Sequence, residues 1–335
     1  MKYPEILKTE QAITLVKETF EKQLAKQLQL IKVSSPIAVL DGTGINDDLN
    51  GIERAVSFPI KSMNEQKAVV VHSLAKWKRL RLKQLGIEVG TGILTDMRAL
   101  RPDEDYTHLH SIYVDQWDWE KHIETSQRTL SYLKTTVLKI YEALKETEQT
   151  VSSHYKDIPS ILPDVITFIH AEELLKLYPT LSPKQREYEI TKKAGAVFII
   201  GIGGKLSDGE VHDGRAPDYD DWSTLNEEGF AGLNGDLVVW HPVLKSPFEL
   251  SSMGIRVDKK ALKYQLELRG CEDRKKLMFH NMLLSDQLTE SIGGGIGQSR
   301  VCMFILKKAH IGEVQVSIWP EEEKQKLAEQ DVILL

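Results

Sequence analysis

The pattern of apolar and polar positions at the start of the chain predicts a helix followed by a short strand. Residues 9 to 30 carry apolar side chains at helical spacing, with Thr9 as a candidate N-cap. Residues 30 to 40 follow as a strand that is interrupted by Pro36. Because proline in strands is confined to edges and junctions, we expect this strand to lie at a sheet edge, where a second subunit could cover it.

The same patterns continue along the chain and predict a mixture of helices and strands. A strand at 67–73 leads into a basic helix at 74–83, and we expect Arg79, Arg81 and Lys83 to face solvent, as most charge runs on helices do. The remaining predicted elements are a helix from 119 to 155, a strand and a helix within 165–177, and strands at 194–201, 235–240 and 248–257.

One strand that ends near residue 120 alternates clearly between an apolar and a polar face. Trp117 and Trp119 fall on one face and predict contact with the core. The other face could be a solvated surface or the floor of a pocket. The preceding loop would bring Arg101 beside these polar groups, which favours the interpretation as a pocket. The polar face consists of Gln116, Asp118 and Glu120.

Two later strands also carry charged residues. Asp236 lies on the first, and on the second Glu249 is expected to share a face with Ser251, with Gly254 permitting a bulge before Arg256. Charges on a buried sheet need partners or a ligand. The two strands therefore indicate a binding surface.

A glycine-rich stretch, Ile292–Arg300, precedes an amphipathic segment that is expected to be helical. A cation at the start of a helix is unfavourable beside the positive end of the helix dipole. The position of Arg300 therefore indicates that it binds an external anion such as phosphate. A structural glycine-rich turn is the alternative, because Gly293, Gly295 and Gln298 do not fit G-x-G-x-x-G and the P-loop pattern is absent from the sequence.

Composition narrows the class of protein. The 335 residues have a formal charge of −6, which argues against nucleic acid as the main partner, and no apolar run reaches the ~18 residues of a membrane span. Cys271 and Cys302 have neither disulfide-framework nor zinc-site spacing, and the charged N-terminus does not fit a secretory signal. We expect a cytoplasmic protein. The acidic loop 207–222 lacks calcium-loop spacing, and substrate-facing and turn-capping roles both stay open.

Together these tracts resemble a known family. The Arg101 loop with the strand after it, and the stretch ending at Arg300, are similar to motifs 2 and 3 of class II aminoacyl-tRNA synthetases of the aspartate/asparagine branch; the first helix with Pro36 is similar to motif 1. Over the whole length the chain resembles the ammonia-dependent asparagine synthetases. The tracts that carry this resemblance are HSLAKWKR, ALRPDED, YVDQWDWE, GIGGKLSDG, RAPDYDDWST, GLNGD, ELSSMGIRVD and IGGGIGQSR.

The resemblance implies a fold and a reaction. The fold would be one α+β catalytic domain over residues 1–335, a mainly antiparallel sheet flanked by helices, in a homodimer formed near Pro36. The reaction would be ATP-driven conversion of aspartate and ammonia to asparagine through a β-aspartyl-adenylate, with release of AMP and pyrophosphate.

The resemblance also implies roles for particular residues. Arg101 would grip the α-phosphate and Arg300 the γ-phosphate, while Asp236 and Glu249 would hold Mg²⁺. Asp47 would attract ammonium and take its proton. Residues expected to frame the adenine are Glu104, His110 and Ser111. Residues expected to bind aspartate are Asp118 and Asp220 at its ammonium, and Ser73, Lys78, Gln116, Ser252 and Arg256 at its carboxylates.

Two other classes of function are compatible with the sequence. One is a synthetase-like core that activates aspartate for tRNA or another acceptor, which the acidic balance and the lack of a stretch for an anticodon-binding domain disfavour. The other is a non-catalytic module, which the intact arginines and Glu249 disfavour. Because Lys2 rather than cysteine follows Met1, we expect ammonia and not glutamine as the nitrogen source.

Overall fold

A computed structural model describes residues 3–47 and 53–335. The helices of this part are α1 (Tyr3–Leu28), α2 (Ala75–Gln84), α3 (Leu130–His154), α4 (Ala171–Leu177), α5 (Pro183–Ala194), α6 (Lys259–Leu268), α7 (Met278–Leu284), α8 (Gln298–Ile305) and α9 (Glu321–Glu329). The strands are β1 (Leu30–Lys32), β2 (Ala38–Leu40), β3 (Ser57–Ile60), β4 (Gln66–Val70), β5 (Gly92–Leu100), β6 (Tyr113–His122), β7 (Thr167–His170), β8 (Ala196–Ile200), β9 (Asn234–His241), β10 (Ser246–Ile255) and β11 (Ser291–Gly297).

The main sheet is mostly antiparallel, as the resemblance implied. Within the described residues its strand order is β1-β5-β6-β11-β10-β9-β8-β7, and the two edge pairs, β1 with β5 and β7 with β8, are parallel. A smaller sheet has the order β2-β4-β3. Glycine-rich β11 therefore lies in the middle of the main sheet, between β6 and β10.

One face of the main sheet forms the core with α1 and α3. Phe20 and Leu24 of α1 and Trp117 and Trp119 of β6 are almost completely buried there, and the ring centroids of Phe20 and Trp117 are 4.6 Å apart. Burying each such side chain stabilises the fold by about 1.5–3 kcal/mol. Because strand side chains alternate, the polar residues of β6 emerge on the opposite face.

Several element boundaries differ from the sequence predictions. Helix α1 begins at Tyr3, so Thr9 lies inside it and is not its N-cap. The predicted helix 119–155 begins only at Leu130, with Thr129 accepting a hydrogen bond from the Tyr132 amide, because β6 continues to His122 between β5 and β11. The strand predicted at 30–40 is two strands in different sheets, and Pro36 lies between them.

The predicted exposure of the basic helix was partly wrong. Lys83 is exposed and Arg81 is half-buried, but Arg79 is buried, where it donates hydrogen bonds to the carbonyls of Thr289 and Val257 at 2.9 and 2.6 Å. Val257 follows the end of β10 and Thr289 precedes the start of β11, so Arg79 fastens α2 to the ends of two neighbouring strands of the main sheet.

Strand β10 carries its bulge at a different place from the one predicted. The register shifts between Glu249 and Ser251, not at Gly254. One extra residue moves the side chains that follow to the other face, so Glu249 lies opposite Val238 and Ser252 lies opposite Asp236. Glu249 thus shares a face with Ser252 and not with Ser251.

The cysteines and the apolar helices can be described directly in the structure. Cys271 and Cys302 are both free thiols. No helix in the described ranges has the length and apolar character needed to cross a bilayer.

Candidate active site

A cavity of about 640 Å³ lies over the polar face of the main sheet. All of the site residues predicted from the sequence line it, although they come from seven separated parts of the chain. These residues are Asp47, Ser73, Lys78, Arg101, Glu104, His110, Ser111, Gln116, Asp118, Asp220, Asp236, Glu249, Ser252, Arg256 and Arg300.

The floor of the cavity is built by pairing polar residues of β6 with glycines of β11. Gln116 lies opposite Gly297, Asp118 opposite Gly295, and Glu120 opposite Gly293. A Cβ atom at Gly295 would lie 2.6 Å from Gln116 Oε1 and 2.8 Å from Asp118 Oδ1. The glycines therefore make room for the polar side chains, and the stretch is a sheet floor rather than a phosphate-binding turn.

A buried lysine and aspartate form one ion pair on this floor. Lys78 Nζ donates to Asp118 Oδ1 at 2.9 Å and to the Gly294 carbonyl at 2.8 Å. Burial lowers the pKa of Lys78. Asp118 Oδ2 is buried and has no hydrogen-bond partner within the part of the chain that the structure describes. This oxygen can accept a proton donor from a ligand.

Arg256 forms a second buried cluster. Its Nε and Nη2 donate to the Glu120 carboxylate at 2.8–3.1 Å, and its Nη1 donates to Asp220 Oδ1. The Tyr219 ring lies 5.8 Å from the guanidinium. Thus the residues predicted to bind opposite ends of aspartate are here paired with each other, in an alternating array of charges that matches a zwitterion.

Two carboxylates on adjacent strands face the cavity together. Asp236 is paired with Arg215, and Glu249 accepts a hydrogen bond from Ser252 Oγ at 3.1 Å. Burial, with the nearby Glu249 charge adding to it, raises the pKa of Asp236 to about 6. A buried carboxylate whose pKa is raised by burial and by a neighbouring carboxylate fits a divalent cation, which would relieve the repulsion.

Arg101 and Arg300 approach the cavity from different elements. Arg101 Nη2 donates to the His72 carbonyl at 3.2 Å, while its Nε is buried and lacks a hydrogen-bond partner among the residues described. Arg300 is at the start of α8, where Nη1 donates to the Glu249 carbonyl at 3.1 Å. Its Nη2 lies 2.7 Å from His110 Nε2. The two guanidinium groups thus share one cavity.

His110 is held in its neutral form. Burial and the adjacent Arg300 lower the pKa of His110 to about 4. Since a guanidinium can only donate, Nε2 accepts from Arg300 and the ring proton is on Nδ1, where it can donate to Thr107 Oγ1 at 2.9 Å. His110 therefore orients Arg300.

Ser111 lines the cavity but its hydroxyl is already engaged. It donates to Gln315 Oε1 at 2.7 Å and accepts from the Tyr113 amide and Ser317 Oγ at 3.1 and 3.0 Å. Gln315 in turn donates to Ser299 Oγ at 3.0 Å. Ser111 therefore ties the loop after β5 to α8, and little hydrogen-bonding capacity is left for an adenine.

The acidic loop 207–222 forms part of the cavity wall. Asp218 is fully buried and is paired with Lys76 Nζ and His280 Nε2, each at 2.9 Å. This anchor presents Tyr219 and Asp220 to the cavity. Asp47 is itself buried at the cavity wall, and burial together with its charge raises the pKa of Tyr219.

Sequence reasoning assigned no role to several residues of the site. Glu120 was recognised on the polar face of β6, and the alternation that placed Asp118 there could have assigned it as well. Arg215 and Tyr219 lie in the acidic loop, where only the tract RAPDYDDW signalled them. Gln315 had no signal in the sequence, because only the folded chain brings it to Ser111.

Comparison with solved structures identifies the class of fold. Asparaginyl-tRNA synthetase from Pyrococcus horikoshii, complexed with asparaginyl-adenylate, matches with a TM-score of 0.67 and 14% identity over 93% of this chain and 70% of that chain. The Entamoeba histolytica asparaginyl-tRNA synthetase, also with asparaginyl-adenylate, gives 0.66 and 12% over 93% of this chain and 66% of that chain. The fold is that of the class II aminoacyl-tRNA synthetases.

Comparison of sequences identifies the family. The family model "Aspartate-ammonia ligase" matches residues 7–331. The aspartate–ammonia ligase of Parabacteroides distasonis is 57% identical over 98% of this chain and 95% of its own length, and that of Clostridium perfringens is 54% identical over the same shares. The chain belongs to the aspartate–ammonia ligase family, the family that its sequence resembled.

Proposed function

We propose that this chain makes asparagine from aspartate and ammonia at the cost of ATP, in two steps within the one cavity. Family membership supports the overall reaction. The observation that carries the residue assignment is the convergence of Arg101 and Arg300, from distant parts of the chain, on a cavity whose floor alternates carboxylates and cations.

Aspartate binds over β6 and β10. Its ammonium is held by Asp118 and Asp220, and the buried Asp118 oxygen without a described partner supports this assignment. Its carboxylates are held by Lys78 and Arg256. The neutral polar groups that complete this pocket are Ser73, Gln116 and Ser252. A zwitterion inserted into existing ion pairs extends the alternation of charge and leaves no buried charge isolated.

In the first step an oxygen of the aspartate β-carboxylate attacks the α-phosphorus of ATP, and pyrophosphate leaves. Arg101 stabilises the charge on the α-phosphate, for which its buried Nε–H is available, and Arg300 holds the γ-phosphate. Glu104 and His110 frame the adenine side. Ser111 contributes there only by fixing the loop.

Asp236 and Glu249 are the residues that would hold Mg²⁺. The described residues contain no group of three or more metal-ligating side chains, which fits an ion that completes its coordination with phosphate oxygens and water. Such an ion would neutralise phosphate charge during adenylation. Asp236 would have to exchange its partner Arg215 for the ion.

In the second step ammonia attacks the β-carbonyl of the adenylate and AMP leaves. Ammonium must first lose a proton, and Asp47, which is buried at the cavity wall, accepts it. The negative charge of Asp47 also favours ammonium over neutral molecules of similar size.

One assay tests the proposal. The purified protein is incubated with ATP, Mg²⁺, aspartate and ammonium, and in parallel with glutamine in place of ammonium. Equimolar asparagine, AMP and pyrophosphate from ammonium, with little product from glutamine, is the expected result. Release of ADP, or product formation that requires tRNA, would contradict it.

We also propose that residues 1–335 form a single catalytic domain that works as a cytoplasmic homodimer without a nucleic-acid partner. One core cluster draws on residues from α1 to Trp319, which supports a single domain. Ile31 on edge strand β1 and the nearby Ile37 are more than half exposed, which supports a subunit contact beside Pro36.

A further inference from the structure

A buried glutamate lies beneath the proposed aspartate site and has no part in the scheme above. Glu120 is fully buried on β6, next to the cavity floor but not in its lining. Its carboxylate accepts hydrogen bonds from Arg256 at 2.8–3.1 Å and from Ser291 Oγ at 2.7 Å. We propose that Glu120 is the positioning residue that aims Arg256 at the carboxylate of aspartate; this inference rests on the proposed function.

The donor groups of Arg256 show why its orientation matters. A guanidinium has five N–H groups in a fixed plane. Glu120 occupies the edge formed by Nε and Nη2, and Asp220 takes one N–H of Nη1. Among the described residues this leaves one N–H on each terminal nitrogen, and N–H groups on two nitrogens are what a carboxylate needs for two hydrogen bonds. Glu120 selects this arrangement by holding the opposite edge.

The main sheet leaves space for Glu120 at one position. Gly293 of β11 is its cross-strand neighbour, and a Cβ there would lie 1.9 Å from Glu120 Oε2 and 2.5 Å from Arg256 Nη2. Although burial opposes ionisation, Arg256 lowers the pKa of Glu120, so the carboxylate is charged. The first glycine of the GGG tract is thus required by the carboxylate–guanidinium pair.

A purely structural role predicts a different result from a positioning role. Asp220 could by itself balance the charge of Arg256, since it is also buried and in contact. What Asp220 cannot do is hold the Nε edge. Loss of Glu120 should therefore leave the charge compensated but let the guanidinium turn toward Asp220, away from aspartate.

The test variant is Glu120→Gln. It keeps the size of the side chain but replaces one acceptor oxygen with an amide NH₂ group, which can only donate and would face the N–H groups of Arg256. The matched control is Glu148→Gln, because Glu148 is an equally buried glutamate, paired with Lys307 Nζ at 3.0 Å, outside the cavity. Ser291→Ala removes one support of Glu120 and perturbs the fold less. Aspartate binding is measured by calorimetry, alongside the KM values for aspartate and ATP and the melting temperature.

For Glu120→Gln we expect aspartate affinity to fall about 10- to 150-fold, the range for a lost charge-assisted hydrogen bond, with the KM for ATP within about twofold. Ser291→Ala should weaken aspartate binding about threefold. Glu148→Gln should lower the melting temperature and leave aspartate binding unchanged. The inference is overturned if the Glu120→Gln variant folds and binds aspartate with normal affinity. If Glu120→Gln does not fold, normal aspartate affinity in the Ser291→Ala variant overturns it instead. If the wild-type protein binds aspartate but makes no asparagine, the proposed function fails, while the binding comparison still decides the role of Glu120.

Discussion

The glycine floor of the cavity gives a quantitative prediction for Gly295→Ala. The new methyl carbon would lie 2.6 Å from Gln116 Oε1 and 2.8 Å from Asp118 Oδ1, where ordinary contact begins near 3.4 Å. Asp118 must therefore move by about 0.6 Å. Its hydrogen bond to Lys78 is 2.9 Å long, and this displacement would take it outside the normal range.

The expected loss follows from that hydrogen bond. A hydrogen bond between charged groups contributes about 1.5–3 kcal/mol, which corresponds to about 10- to 150-fold in affinity. Because Lys78 and Asp118 are both proposed to hold aspartate, the loss should fall on the KM for aspartate. Overpacking should also destabilise the fold by about 1–3 kcal/mol.

Pyrophosphate exchange at varied aspartate and fixed ATP measures the effect, and Gly294→Ala is the control. A Cβ at Gly294 would meet Met253 Cβ at 2.6 Å, on the apolar face of the same strand. We expect this control to lower the melting temperature and, because the Gly294 carbonyl accepts from Lys78 Nζ at 2.8 Å, to raise the KM for aspartate by less than Gly295→Ala does. Equal KM changes in the two variants would refute the argument that the glycines serve the polar row.

Three further variants test the proposed roles. Asp47→Asn should preserve pyrophosphate exchange and slow asparagine formation, because Asp47 accepts the proton of ammonium only in the second step. Equal loss of both activities would exclude this role. Arg101→Lys should reduce pyrophosphate exchange about 100-fold, since lysine lacks the planar fork that binds two phosphate oxygens; an exchange rate within about threefold of wild type would contradict it. The pKa of His110 is about 4 in the folded chain, whereas its ordinary value, which applies to the unfolded chain, is 6.5. As the pH falls from 6.5 to about 4, the unfolded chain therefore binds a proton that the folded chain does not, and the fold loses stability. His110→Gln should therefore show a shallower fall in melting temperature across that interval, and parallel curves for the two proteins would refute the assignment.

Much of the fold and site could be predicted from local pattern and family resemblance. Alternation in β6 correctly assigned Trp117 to the core and Asp118 to the cavity, because a strand has a period of two whatever surrounds it. The motif residues Arg101 and Arg300 were predicted to reach one site, and both line the same cavity. The sequence also predicted the family to which the chain belongs.

Other features were decided by tertiary contacts. Burial of Arg79 depends on carbonyls at Thr289 and Val257 that are remote in sequence, so the charge run on α2 could not reveal it. The bulge of β10 depends on its register with β9, and it reassigned Glu249 from the face of Ser251 to that of Ser252.

The role of the glycine-rich stretch shows the same division. Its composition established that the backbone there must accommodate something close, since glycine has no side chain to obstruct an approach. Only the pairing of β11 with β6 showed that the close neighbours are Gln116, Asp118 and Glu120 rather than a phosphate. A sequence specifies the period and size of its side chains, whereas the partner across a strand is selected by the packing of the whole sheet.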